Sequence, residues 1–105
     1  MIKKPIASRI LNCQIEGKRE EVIVRLGHPK QEIDHFTCEY EISFVGGREA
    51  YQIIGHDSIH ALQLAMFMVG SALQSIHGAS NWRWNDEPYT GFPTNLDQPI
   101  VGLRS

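Results

Sequence analysis

Between Asp57 and Arg83 the chain carries no lysine, arginine, aspartate or glutamate. That uncharged run constrains the fold more than any other feature, because so much apolar surface has to be buried on at least one side. Leu62, Ala65, Met66, Val69, Leu73 and Ile76 recur at the i, i+3, i+4, i+7 spacing of one helical face, with Ile59 leading in. The spacing predicts an amphipathic helix over 57–77. Asp57 or Ser58 stands where an N-cap oxygen accepts a first-turn amide, and Gly78 where a left-handed residue ends a helix. His77 falls at the carbonyl end, which favours a donor or a cation. Leu64, Phe67 and Met68 point away from the stripe and call for a second cover: the C-terminal segment, another copy of the chain, or a different protein. Gln63, Gln74 and two serines interrupt the run, leaving it short of the roughly 20 apolar residues of a membrane span. No span is expected.

Ahead of the helix come four β-like runs, over about 6–15, 20–27, 35–45 and 48–54. Leu11, Cys13 and Ile15 alternate with Asn12 and Gln14, and Val22, Val24 and Leu26 with Ile23 and Arg25; Glu16-Gly17-Lys18 joins them as a hairpin. The clearest alternation sets Phe36, Cys38, Tyr40, Ile42 and Phe44 against Thr37, Glu39, Glu41 and Ser43, the pattern of a strand with one face on a core and one in water. Gly46-Gly47 supplies positive φ for a tight turn, and Tyr51 and Ile53 share a face of the return strand. The expected architecture is α+β: an antiparallel meander of four to five strands, one long helix on one face, and an irregular tail over 79–105. Asn81 to Trp84 is the candidate fifth strand, with Trp82 and Trp84 on one face. Asn85-Asp86-Glu87-Pro88 and Thr90-Gly91-Phe92-Pro93 read as turns.

With 105 residues the chain fits a single domain able to bury a core without staples. A net charge of −2 predicts no general attraction for nucleic acid or an anionic membrane. Cys13 and Cys38 stand in no metal-binding or redox spacing and read as small buried hydrophobes of a reducing cytoplasm. The start, MIKKPIASRI, lacks the apolar stretch of a signal peptide. A cytoplasmic location is expected.

No nucleophile elbow, phosphate loop or dinucleotide fingerprint is present, so no catalytic residues are assigned. His56 and His60 are four apart beside Asp57, and His28 and His35 flank a loop with Lys30, Glu32 and Asp34. These four histidines are the raw material for a small enzyme or a metal-dependent protein. Spacing alone does not make a metal site, and polar residues at a helix start or in a surface loop are commonplace; no metal and no cofactor are expected. Glu32, Asp34, Glu39 and Glu41 lie in a stretch with no lysine or arginine, and alternation sends Glu39 and Glu41 to the solvent face. An acidic stripe on a stiff strand attracts a cationic partner, although charge on a sheet face also serves solubility alone. Trp82, Trp84 and Tyr89 are the aromatic counterpart, as interface anchors or as lids of the core.

The order of motifs, Val24-Arg25-Leu26-Gly27-His28-Pro29, then Cys38-Glu39-Tyr40-Glu41-Ile42, then Gly55-His56-Asp57-Ser58-Ile59-His60-Ala61-Leu62-Gln63-Leu64-Ala65, then a tryptophan and Gly91-Phe92-Pro93, resembles a family of small bacterial proteins of unknown function. The resemblance covers roughly residues 6 to 93 and implies a compact α+β cytoplasmic domain with no catalytic residues to carry over. In type, the chain also resembles the immunity proteins of polymorphic toxin systems, including contact-dependent growth inhibition. Such proteins bind a toxin domain and block it. The leading expectation is a non-enzymatic binding protein that neutralises a cognate toxin, such as a basic nuclease, through Glu32, Asp34, Glu39, Glu41, Trp82, Trp84 and Tyr89. The alternatives are the histidine-based enzyme or metal protein, and a homodimer through Leu64, Phe67 and Met68.

Overall fold

Period-two alternation and turn chemistry produce the sheet. The computed structural model of the protein describes residues 2–77 and 81–93. Strands β1 (Ala7–Ile15), β2 (Lys18–Leu26), β3 (Lys30–Gln31), β4 (Phe36–Phe44) and β5 (Gly47–Gly55) precede helix α1 (Ser58–His77) and strand β6 (Trp82–Arg83). Glu16 and Gly17 both take positive φ, 51° and 79°, in the two-residue turn between β1 and β2, the geometry whose twist matches that of its strands. Asn85 and Asp86, at 50° and 67°, do the same beneath the Trp84–Glu87 bridge. At the β4–β5 turn only Gly46 has positive φ; Gly47 already belongs to β5, so the turn is Val45-Gly46 and not the expected glycine pair.

All pairings are antiparallel. β4 holds β5 along one side and β2, continued by β3, along the other; β1 lies outside β2, and β6 outside β1. The α+β meander with one helix is therefore the fold. β3 is an addition to it, a two-residue continuation of β2 beyond Gly27-His28-Pro29 that carries too little alternation to be read from sequence.

The core lies between α1 and the inner sheet face. Leu11, Cys13, Val22, Val24, Cys38, Tyr40 and Ile42 come from the sheet, and Ala61, Ala65, Val69 and Leu73 from the helix. The helix is rotated from the expected stripe. Its fully buried line is the i, i+4 series from Ala61, flanked by Leu62, Met66, Met68 and Ala72, whereas Ile59 is 66% exposed. The cause is close approach. A β-carbon on Gly55 would collide with the backbone of Ala61, so the first turn sits directly on the end of β5. By length and composition Ser58–Ile76 would suffice to cross a membrane; here its small-residue face is the protein's own core.

Residues 81–93 supply a second cover for the helix. Trp82 is fully buried, and its indole Nε1 donates to the carbonyl of Leu73 at 2.9 Å. Phe92 and Pro93 press against Gly70, where a β-carbon would strike the Pro93 carbonyl. The Arg9 guanidinium stacks 3.7 Å above the Trp84 ring and 4.8 Å from that of Phe92, and donates to the Thr90 carbonyl at 3.0 Å. Burial lowers the pKa of Arg9 from its ordinary value. The cap expected at Gly78, and the tail from 94 onwards, lie outside the described residues.

Leu73 touches both covers, so Leu73→Ala is expected to lower the unfolding free energy by about 2–5 kcal/mol. Trp82→Phe, which loses one buried hydrogen bond and leaves a cavity in place of the larger indole, is expected to lower it by about 2–4 kcal/mol. Urea unfolding followed by circular dichroism measures both.

Candidate protein-binding surface

β4 begins between two connections. Phe36 pairs with Gln31 on one side and with Gly55 on the other. The loop over 32–35 and the link from β5 into α1 therefore stand at the same end of the sheet, about 10 Å apart across one strand. The loop is closed by the Glu32 amide donating to the His35 carbonyl at 2.8 Å. At its tip the Ile33 side chain is wholly exposed, at 102%. Asp34 lies 2.7 Å from His35 Nδ1; this hydrogen bond, and then the charge of the imidazole, hold the Asp34 carboxyl below its ordinary range. Lys30, largely in solvent, sits 3.8 Å from the half-buried Glu32, a weak pair at a protein surface.

Across β4, Asp57 is the N-cap: its Oδ1 accepts the His60 amide at 2.7 Å. His60 Nδ1 in turn accepts the His56 amide at 2.9 Å, and the two imidazoles stack with centroids 5.3 Å apart. This resembles a capping box, except that the return bond from the histidine reaches the amide of the residue before the cap and not that of Asp57 itself. The i, i+4 histidine pair thus has a structural role at the helix start. Among the described residues no three of His, Cys, Asp and Glu converge as a metal ion would need.

The proposed partner residues are not brought to one surface. Glu32 and Asp34 lie in the loop. Glu39 is exposed on the outer sheet face, in a shallow groove whose other walls are Ile2, Lys3, Lys4, Gly27 and His28. Glu41 departs from the expected solvent-facing stripe, being only 1% exposed. Arg25 Nη1 donates to it at 3.2 Å, Ser43 Oγ at 3.3 Å and the Ile2 amide at 3.3 Å, with Arg48 at 3.8 Å. The register explains the burial: Arg25 sits directly opposite Glu41, Arg48 pairs with the neighbouring Ser43, and the start of the chain folds over them. Trp82 is a core residue and not an exposed anchor. Trp84 and Tyr89, 6.1 Å apart, lie by the β6 edge, three strands from β4 and away from the acidic loop. One aliphatic residue in a polar loop has no period, so nothing in the sequence marks Ile33. Ile59, expected at the head of the buried stripe, is exposed.

Comparison with known families agrees with this architecture. Residues 7–94 match a domain of unknown function, DUF6968, from the first residue of β1 past the helix and its aromatic cover. The chain belongs to the DUF6968 family. No curated protein and no solved structure matches it.

Cys13 and Cys38 are free and buried; desolvation, and then the charges of Glu20 and Glu39 respectively, raise their thiol pKa values. Both thiols are expected to resist a disulfide reagent at pH 8 in the folded protein and to react at once in denaturant. Glu41→Lys places a cation among Arg25 and Arg48 and is expected to cost about 2 kcal/mol or more. Glu39→Lys, on the open face, is expected to stay within about 0.5 kcal/mol. Thermal unfolding of the two variants side by side distinguishes a buried from an exposed carboxylate.

Proposed function

We propose that this chain is a non-enzymatic binding protein that grips a basic protein partner with the 32–35 loop end of the sheet. The observation that carries this reading is Ile33, a β-branched aliphatic side chain held wholly in water between Glu32 and Asp34. An apolar side chain flanked by acids is the composition of an anchor with an electrostatic rim. The carboxylates steer a cationic surface towards it, and burial of the isoleucine then slows dissociation. Ile59 and Asp57 repeat the combination across β4. The partner class that fits is a cognate bacterial toxin domain neutralised by occupation of its basic surface. A nuclease is one such domain, since it must carry cations to hold a phosphate backbone.

The test is capture of the neighbouring gene's product by the purified chain, compared with Ile33→Ala and with Glu32→Lys/Asp34→Lys. Stoichiometric binding to the wild type, weakened at least tenfold in both variants at unchanged melting temperature, is expected. Equal binding by all three would remove this loop from the interface.

A further inference from the structure

Helix α1 begins with two histidines held in a fixed protonation pattern. The Asp57 carbonyl accepts the Ala61 amide at 3.0 Å as the first bond of the helix, and Asp57 Oδ1 accepts the His60 amide at 2.7 Å. A third bond closes the start from the opposite direction. The amide of His56, the residue before the cap, donates to His60 Nδ1 at 2.9 Å. A ring nitrogen accepts a hydrogen bond only while it carries no proton, so His60 is neutral here, with its proton on Nε2. This bond ties the link out of β5 to the first turn of the helix, beside the point where Gly55 lies against the Ala61 backbone.

Protonation of His60 removes the lone pair that the His56 amide uses and turns an N–H towards an N–H. Two further effects act in the same direction. The rings of His56 and His60 are within 5° of parallel, with centroids 5.3 Å apart, so charge on one disfavours charge on the other. His60 also sits in the first turn of α1, where the helix dipole disfavours a cation. Against these stands Asp57, whose carboxylate attracts an imidazolium but is aimed at the His60 amide. The other charged groups at this end of the sheet lie across β4, where Gly55 pairs with Phe36. Of them, Asp34 is engaged by His35 and Glu32 by Lys30. β5 carries its charges, Arg48 and Glu49, at its opposite end, and α1 has no lysine, arginine, aspartate or glutamate.

We infer that the His56–His60 contact is a pH-sensitive latch on the start of α1, closed when His60 is neutral and open when it is protonated. The bond stabilises the neutral ring alone. Its contribution is therefore present above the range in which imidazoles ordinarily titrate, about pH 6–7, and is lost as pH falls through it. Opening frees residues 56–60 from the end of β5, while the rest of the helix stays seated on its line of Ala65, Val69 and Leu73. Asp57 and Ile59 belong to the released turn, so the latch stands at the loop end of the sheet, but it does not rest on the partner-binding reading.

Amide exchange and ring-nitrogen chemical shifts, followed by NMR on the whole chain, test it. At about pH 7.5 His60 is expected as the Nε2–H tautomer. Between about pH 7.5 and 5.5 the protection factor of the His56 amide is expected to fall by about fivefold or more, while that of the Leu73 amide stays constant. His60→Gln, whose carboxamide oxygen accepts the same amide without titrating, is expected to keep its protection throughout. His35→Gln, which removes the neighbouring titrating ring, is expected to show the wild-type fall. If a variant fails to fold, the wild-type titration decides. An Nδ1–H tautomer for His60, or a His56 protection factor that does not change with pH, overturns the inference. So does a fall that Leu73 shares, that persists in His60→Gln, or that His35→Gln abolishes.

Discussion

The seating of α1 on the strand pair β4–β5 is the contact on which the rest of the structure depends. Ala61, Ala65, Val69 and Leu73 form a narrow line of mostly small side chains, and Gly55 lets the first helical turn rest on the strand that leads into it. Small residues shorten the distance between helix and sheet, which brings Cys38, Tyr40 and Ile42 into full van der Waals contact with the helix. Close seating also fixes the helix rotation. It turns Ile59 outward and leaves the Gly70 side open to a further layer.

That further layer is the aromatic segment over 81–93. Trp82 ties it to the helix through the Leu73 carbonyl, and Arg9, from β1, ties it to the sheet by stacking on Trp84 and Phe92. A guanidinium between aromatic rings is weakly hydrated and tolerates burial better than an ammonium group. The segment thus closes the β1–β2 half of the inner face, which the helix, placed over β4 and β5, leaves uncovered.

The outer face follows a different principle. Its centre is a buried carboxylate, Glu41, held by two arginines, a serine hydroxyl and the amide of Ile2. A buried charge is tolerable only when its partners are in place, and here they fasten the start of the chain across the sheet. The face is consequently mixed in charge, with its arginines matching its glutamates. The acidic character of the molecule moves to the loop end, where Glu32, Asp34 and Asp57 surround exposed isoleucines. The surface that best suits a cationic partner is therefore set by the turns at one end of the sheet and not by the strand that carries most of the acidic alternation.

Local pattern is enough for the elements: four alternating strands, the position of their turns, one long uncharged helix capped at Asp57 or Ser58, and a fifth strand at Trp82. These are local outcomes, fixed by side-chain period and by the φ values that glycine and neighbouring turn residues accept. It also limited the site to a pool of residues, from which Asp34 is exposed and Glu32 half-buried in the loop. The rest follows from contacts between segments distant in the chain. Glu41 and Glu39 are indistinguishable by alternation, yet cross-strand register places Arg25 opposite one and leaves the other open. Trp82 and Tyr89 are equally aromatic, yet only the former meets the helix. Ile33 and Ile59 became surface residues through loop closure and helix rotation. Period assigns a side chain to a face, but whether that face is covered depends on segments distant in the chain, and no local pattern encodes that.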